Sequence, residues 1–202
     1  MNPSPDEPLE AEHRERMKVL QAEMHAKIAA AREQRDLLIV HTGDGKGKST
    51  AAFGLVARML GHGGRCAVIQ FIKAGDAAIE RTLRGPLLQW HQVGDGFTWD
   101  TQNRAADIAR CREGLALAAG YLRDPAIRLV LLDELNIALA YDYLPLAEVL
   151  AAWRGHAPGK HLVITGRGAP AGLIAAADLA TEMRVLKHPF DAGVKAQAGI
   201  EF

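Results

Sequence analysis

Two cysteines in 202 residues, Cys66 and Cys111, are too few and too far apart for a disulfide framework or a zinc motif. They read as reduced thiols of a cytoplasmic protein. The chain also lacks an excess of either charge, since 24 basic residues balance 24 acidic ones. A nucleic-acid binder needs a basic face to displace counterions, so nucleic acid is not expected as a partner. No apolar run approaches the roughly 20 residues that cross a bilayer, and no membrane association is expected. The opening residues, Met1-Asn-Pro-Ser-Pro-Asp-Glu-Pro8, are polar and acidic and do not form a secretory signal. No internal repeat is present. Against these absences stand 49% hydrophobic residues, enough for a sizeable core.

Three parts follow along the chain. Residues 1–9 carry three prolines and are expected to be a disordered lead-in. Residues 10–36 hold a helix, read over Glu10–Arg35, rich in Glu, Arg, Lys, Gln and Ala. Met17, Leu20, Met24, Ile28 and Ala31 recur at spacings of three and four, a narrow apolar stripe. Such a helix suits the domain surface, a dimer seam or a mobile lid. Residues 37–202 then alternate strands and helices. Strands are read at Leu37–His41, Arg65–Phe71, Leu87–Val93, Leu129–Leu132, His161–Thr165 and Thr181–Lys187. Helices are read at Lys48–Leu60 and Ala78–Arg84, from a cap at Asp100 to Leu122, and after Pro145 and Pro170. The alternation predicts an α/β fold, a mostly parallel sheet with helices on both faces.

The informative segment is Thr42-Gly-Asp-Gly-Lys-Gly-Lys-Ser-Thr50, set between a buried strand and a helix. That is the context of the phosphate-binding loop Gly-x-x-x-x-Gly-Lys-Ser/Thr. Gly47, Lys48 and Ser49 match it, while Thr42 stands at the first glycine position with Gly43 beside it. Gly43, Gly45 and Gly47 permit a backbone whose N–H groups turn inward as an anion nest, helped by the helix N-terminus. Lys48 brings a full charge to a phosphate, Lys46 is placed to bring another, and the Ser49 hydroxyl suits Mg²⁺. A second element, Leu129-Val-Leu-Leu-Asp-Glu134, ends a buried strand in two carboxylates. In phosphate-loop proteins such a strand lies beside the loop and its acidic end supports the metal. Asp133 and Glu134 both qualify, and Asp133 is also a candidate cap for the next helix.

Seven segments in order extend the pattern: Gly43–Gly54, Val68-Ile-Gln-Phe-Ile-Lys73, Gly96-Phe-Thr-Trp-Asp-Thr-Gln-Asn103, Leu131-Leu-Asp-Glu-Leu135, Ala140-Tyr-Asp-Tyr-Leu-Pro-Leu146, Ile164-Thr-Gly-Arg-Gly168 and Lys187-His-Pro-Phe-Asp-Ala-Gly-Val-Lys-Ala-Gln197. Together they resemble the ATP:corrinoid adenosyltransferases of the bacterial B12 pathway, from about residue 37 to the end. The resemblance implies a P-loop NTPase-like (RecA-like) fold. It implies that Co(I) of a corrinoid attacks the 5′ carbon of ATP and that tripolyphosphate leaves. It implies ATP bound along Thr42, Gly43, Asp44, Gly45, Lys46, Gly47, Lys48, Ser49 and Thr50, with the triphosphate lying in an unusual direction. Mg²⁺ would be held by Ser49 and by Glu134 or Asp133. Phe97 and Trp99, which the residues alone leave equally readable as loop packing, would lie below the cobalt and exclude its lower ligand. Lys48, Phe97 and Trp99 are thus the catalytic candidates. Asn103, Arg104 and Arg167 are candidates for contacts to ATP or corrinoid, Arg167 being equally readable as a loop arginine. A homodimer and an electron-donor protein such as a flavodoxin are implied as well. A phosphate-loop kinase and an ATP-gated corrinoid escort are the alternatives.

Overall fold

The structure, a computed structural model, describes residues 7–72, 78–94 and 103–200 of the chain. It divides into two compact units, 1–35 and 36–202. The first contains one helix, α1 (Glu7–Ala30). It starts three residues before the expected Glu10, since a proline is tolerated in a first helical turn. It ends five residues before the expected Arg35, where the Ala31 N–H is shared between the Lys27 and Ile28 carbonyls. Met17, Leu20, Met24 and Ile28 are exposed along it.

The second unit follows the alternation: β1 (Leu37–Thr42), α2 (Lys48–Gly61), β2 (Arg65–Gln70), α3 (Ala78–Leu83), β3 (Leu88–Gln92), α4 (Arg104–Arg123), β4 (Ile127–Asp133), α5 (Leu135–Ala140), α6 (Leu146–Arg154), β5 (His161–Thr165), α7 (Ala171–Ala176) and β6 (Leu179–Glu182). The strands form one sheet in the order β3-β2-β4-β5-β1-β6, and every pairing is parallel. This is the α/β, P-loop-like architecture expected. All six C-terminal strand ends therefore meet along one edge, where loops of an open parallel sheet bind ligands.

Strand alternation sorts the core into two layers. Leu38, Val40, Ile69, Leu132 and Ile164 face one side with α4 to α7, through Leu115, Leu135, Val149 and Leu173. Ile39, Val68, Leu131 and Val163 face the other, against Ala52, Phe53 and Val56 of α2. Among the described residues no helix is long and apolar enough to cross a membrane.

β5 stands between β4, which carries Asp133, and the loop strand β1. Parallel neighbours are chosen by crossover packing, which a strand's own sequence does not encode. Two expectations need correction. The last strand is Leu179–Glu182 rather than Thr181–Lys187, because its pairing is dictated by β1, from Ile39↔Leu179 to Thr42↔Glu182. The cap of α4 is Asn103, whose Oδ1 accepts from the Ala106 N–H at 3.1 Å. Asn and Asp are near equals at a cap, and the expected cap Asp100 lies outside the described residues.

At the opposite edge Asp36 ties the start of β1 to the segment that leads from α6 into the neighbouring β5. Its carboxylate accepts from His156 Nε2 (3.0 Å) and from the Gly159 (3.0 Å) and Lys160 (2.7 Å) amides. Burial pushes its pKa up. The bonds from His156, Gly159 and Lys160, with the His156 charge, outweigh that and hold it below the usual value. A carboxylate depressed on folding adds stability that is present above its unfolded pKa of about 4 and lost as pH falls through the folded value. Asp36→Asn should thus lower Tm at pH 7, and the gap to the wild type should close below about pH 4. A gap that stays constant from pH 7 to pH 3 would show that the charge is not what these bonds need.

Candidate functional site

The loop after β1 enters α2 through Gly47, whose φ of 105° is left-handed and suits glycine. No side chain caps α2 and no acidic residue occupies its first turn, so the positive end of the helix is left to an anion. Lys48 opens the helix. It is 7% exposed, and its Nζ donates to the Gly45 carbonyl at 2.7 Å. Burial pushes the Lys48 pKa down. Glu134 and Asp44 act against the shift, while Arg167 and Lys46 add to it. Lys48, Lys46 and Arg167 thus converge with Glu134 and Asp44 on one spot. A polyanion entering it would stabilise the charged lysine that burial disfavours. Ser49 is half-buried in the first turn of α2; Asp44, Lys46, Thr50 and Arg167 are exposed.

Thr42, at the position of the missing glycine, is buried, and its Oγ1 accepts from the Ala169 N–H (3.1 Å). That bond links the loop to the segment after β5, where Arg167 lies.

The two carboxylates at the end of β4 have different surroundings. Asp133 is fully buried; its Oδ1 accepts from Thr165 Oγ1 (2.7 Å) and its Oδ2 from Gln70 Nε2 (3.1 Å). Gln70 Oε1 in turn accepts from Trp90 Nε1 (3.1 Å) and Gln92 Nε2 (2.9 Å). Glu134 stands at φ 62°, a strained position for a side-chain-bearing residue, and its N–H donates to Thr165 Oγ1 (3.0 Å). So Asp133 sets Thr165, and Thr165 sets the turn from which the half-buried Glu134 acts on Lys48. Asp133 does not cap α5; Glu134 holds that position without a side-chain bond.

Register extends this row across the sheet. Gln92, Gln70 and Asp133 are in line, and His41 pairs with both Thr165 and Thr181. His41 is 7% exposed, neither ring nitrogen has a partner among the described residues, and burial pushes its pKa down, keeping it neutral. A row of polar residues thus closes six strands at the ligand edge. Sequence reading missed Gln70, Thr165 and His41, although each is a polar residue ending an apolar run.

Among the described residues no cluster of three or more His, Cys, Asp or Glu could hold a metal by itself. The donor set does suit Mg²⁺, which takes one or two hard protein oxygens beside substrate phosphates. Ser49 and Glu134 offer such oxygens at the loop, whereas Asp133 is committed to Thr165 and Gln70. Asn103 and Arg104 lie at the same sheet edge, at the start of α4. Asn103 caps the helix, while Arg104 donates to the Asp142 carbonyl (3.2 Å) and stands over the Tyr143 ring. Phe97 and Trp99 lie outside the described residues.

The family model of the ATP:corrinoid adenosyltransferase BtuR/CobO/CobP matches residues 34–202. The chain belongs to that family. A corrinoid adenosyltransferase of Pseudomonas aeruginosa is 50% identical over the whole of both chains. One from a Sinorhizobium species is 45% identical over 98% of this chain and 95% of its own. One from Escherichia coli K12 is 44% identical over 94% and 97%. Family membership makes the chain an enzyme, a transferase. The matched region takes in the phosphate loop, the β4 carboxylates and Arg167, and it leaves α1 outside, although the P. aeruginosa relative aligns over α1 as well.

Thr165→Val keeps the shape but leaves Asp133 Oδ1 and the Glu134 N–H without that hydroxyl. It should cost about 1–3 kcal/mol in urea unfolding. It should also raise the Mg²⁺ concentration needed for half-maximal activity. An unchanged unfolding midpoint and Mg²⁺ titration would remove Thr165 from this relay.

Proposed function

We propose that this enzyme transfers the 5′-deoxyadenosyl group of MgATP to the Co(I) of a corrinoid and releases tripolyphosphate, in adenosylcobalamin formation. The observation that carries the reading is the buried Lys48 at an uncapped helix N-terminus, with Lys46, Arg167, Asp44 and Glu134 converging on it, in a chain of this family.

In this reaction the cobalt supplies the electron pair for the new Co–C bond. The C5′–O bond breaks, and its pair leaves on the triphosphate. The carbon is attacked rather than a phosphorus, so the protein needs no base to activate a hydroxyl. Its task is to align the 5′ carbon and to receive a leaving group of growing negative charge. Lys48, the first-turn amides of α2 and Arg167 do the second. Bound Mg²⁺ would neutralise part of the triphosphate charge, held by Ser49 and Glu134. Asp133 positions Glu134 from the interior through Thr165. A cytoplasmic setting accords with the two buried cysteines, kept as thiols, with pKa values pushed up by burial to about 12 at Cys66 and, with Asp107 also acting, to about 11 at Cys111.

For the corrinoid side we propose that Phe97 and Trp99 keep the lower face of the cobalt apolar. A cobalt that loses its lower ligand accepts an electron more readily, which would bring Co(I) within reach of a mild donor such as a flavodoxin. We also propose α1 as a lid over the corrinoid, on the strength of its exposed stripe. In proteins most helical stability comes from packing an apolar face against a surface. Two assays test both ideas: turnover with a mild biological reductant and turnover with corrinoid reduced chemically beforehand. Phe97→Ala and Trp99→Ala should lose much more of the first activity than of the second. A chain starting at Asp36 should need more corrinoid for half-saturation in both. Equal losses in the two assays that track Tm would reduce the aromatics to loop packing, and an unchanged corrinoid requirement would eliminate the lid.

A further inference from the structure

Three glycines of the phosphate loop share one neighbour, Met183, the first residue after β6. The Met183 N–H donates to the Thr42 carbonyl (2.8 Å), and the Gly45 N–H donates to the Met183 carbonyl (2.7 Å). A Cβ on Gly43 would clash with the Met183 oxygen, and one on Gly45 would stand 2.7 Å from the Met183 carbonyl. At Gly47 it would meet the Met183 Sδ at 3.1 Å. The backbone of Met183 therefore laces the loop one step beyond the last β1–β6 pair, Thr42↔Glu182. Its thioether lies against Gly47, the N-cap of α2.

These contacts demand glycine at 43 and 45 for a steric reason separate from phosphate. They also divide the loop's donors: the Gly45 N–H is spent on Met183, and the Gly45 carbonyl receives Lys48. Thr42 is held twice, at its carbonyl by Met183 and at its hydroxyl by Ala169. A loop with glycine at alternate positions has much conformational freedom to lose on binding. Fixing it in advance removes that cost from ligand affinity.

We propose that Met183 is a positioning residue for the triphosphate. Its backbone fixes Thr42 and Gly45 so that Lys48 and the first-turn amides of α2 stay aimed at the ligand, and its side chain closes the loop at Gly47. The proposal rests on the loop being the nucleotide site. It is tested with Met183→Ala, Met183→Leu and Met183→Pro, by calorimetric titration with MgATP and by turnover on pre-reduced corrinoid. The alanine variant should bind MgATP about three- to tenfold more weakly, the effect of losing about one modest interaction. Its KM for ATP should rise in step, while kcat at saturating ATP and the KM for corrinoid stay near wild type. Proline, which removes the N–H given to Thr42, should weaken MgATP further, and leucine should restore most of the affinity. Amide exchange at Gly45 should be faster in the alanine and proline variants. Wild-type MgATP affinity and Gly45 exchange in the alanine and proline variants would overturn the proposal. So would a common fall of kcat and both affinities that follows Tm. A wild-type protein that does not bind MgATP would overturn the nucleotide reading itself, a distinguishable failure.

Discussion

A carboxylate with no solvent exposure has to be paired, and the sheet edge is arranged around that requirement at Asp133. Its two oxygens accept from neighbours on both sides, Gln70 on β2 and Thr165 on β5. The bonds hold in register three strands that are far apart in sequence, and they fix the hydroxyl that receives the Glu134 N–H. A strained residue at φ 62° persists only where its surroundings over-determine it. Here they do, and the outcome is a second carboxylate whose charge favours the charged form of Lys48 from across β5. Two adjacent acids thus differ in their surroundings: Asp133 is buried and paired, while Glu134 is half-buried and acts on Lys48.

The phosphate loop has the same economy. Burial disfavours the charge on Lys48, and the nearby Lys46 and Arg167 disfavour it further; Glu134 and Asp44 offset part of this. A bound triphosphate would supply the remaining compensation. The loop is also braced from outside by Ala169 and Met183, which grip Thr42 where other such loops carry glycine. Substitution at that position therefore does not dismantle the loop. It moves part of the ordering from glycine geometry to neighbouring segments.

Much of this was legible in the chain. The five-residue apolar run Leu37–His41 followed by glycines announced strand, loop and helix, and His161–Thr165 was placed at its observed bounds. The all-parallel sheet followed from alternation, and the family from seven ordered motifs. What was not legible depends on contacts distant in sequence. The place of β5 between β4 and β1 is one such feature, because crossover packing rather than strand composition selects neighbours. The last strand lies earlier than the pattern at Thr181–Lys187 suggests, because its extent is set by β1 and by the turn of Met183 onto the loop. Asp133 and Glu134 look alike in sequence; only the hydroxyl of Thr165 and the amide of Gln70 separate them. Gln70 and Thr165 lie inside motifs, but a polar residue at a strand end shows its purpose only once its cross-strand neighbour is known.

In the proposed reaction the centre attacked is the 5′ carbon of ATP, not a phosphorus. The most direct measurement follows both products in one reaction of enzyme, MgATP and chemically reduced Co(I) corrinoid, by optical spectroscopy of the corrinoid and phosphorus NMR of the nucleotide. Adenosylated corrinoid and tripolyphosphate should accumulate in equal amounts. ADP with orthophosphate, or a phosphorylated product, would contradict the account and make the protein a phosphoryl-transfer enzyme; binding of both substrates without either product would leave an ATP-gated corrinoid carrier.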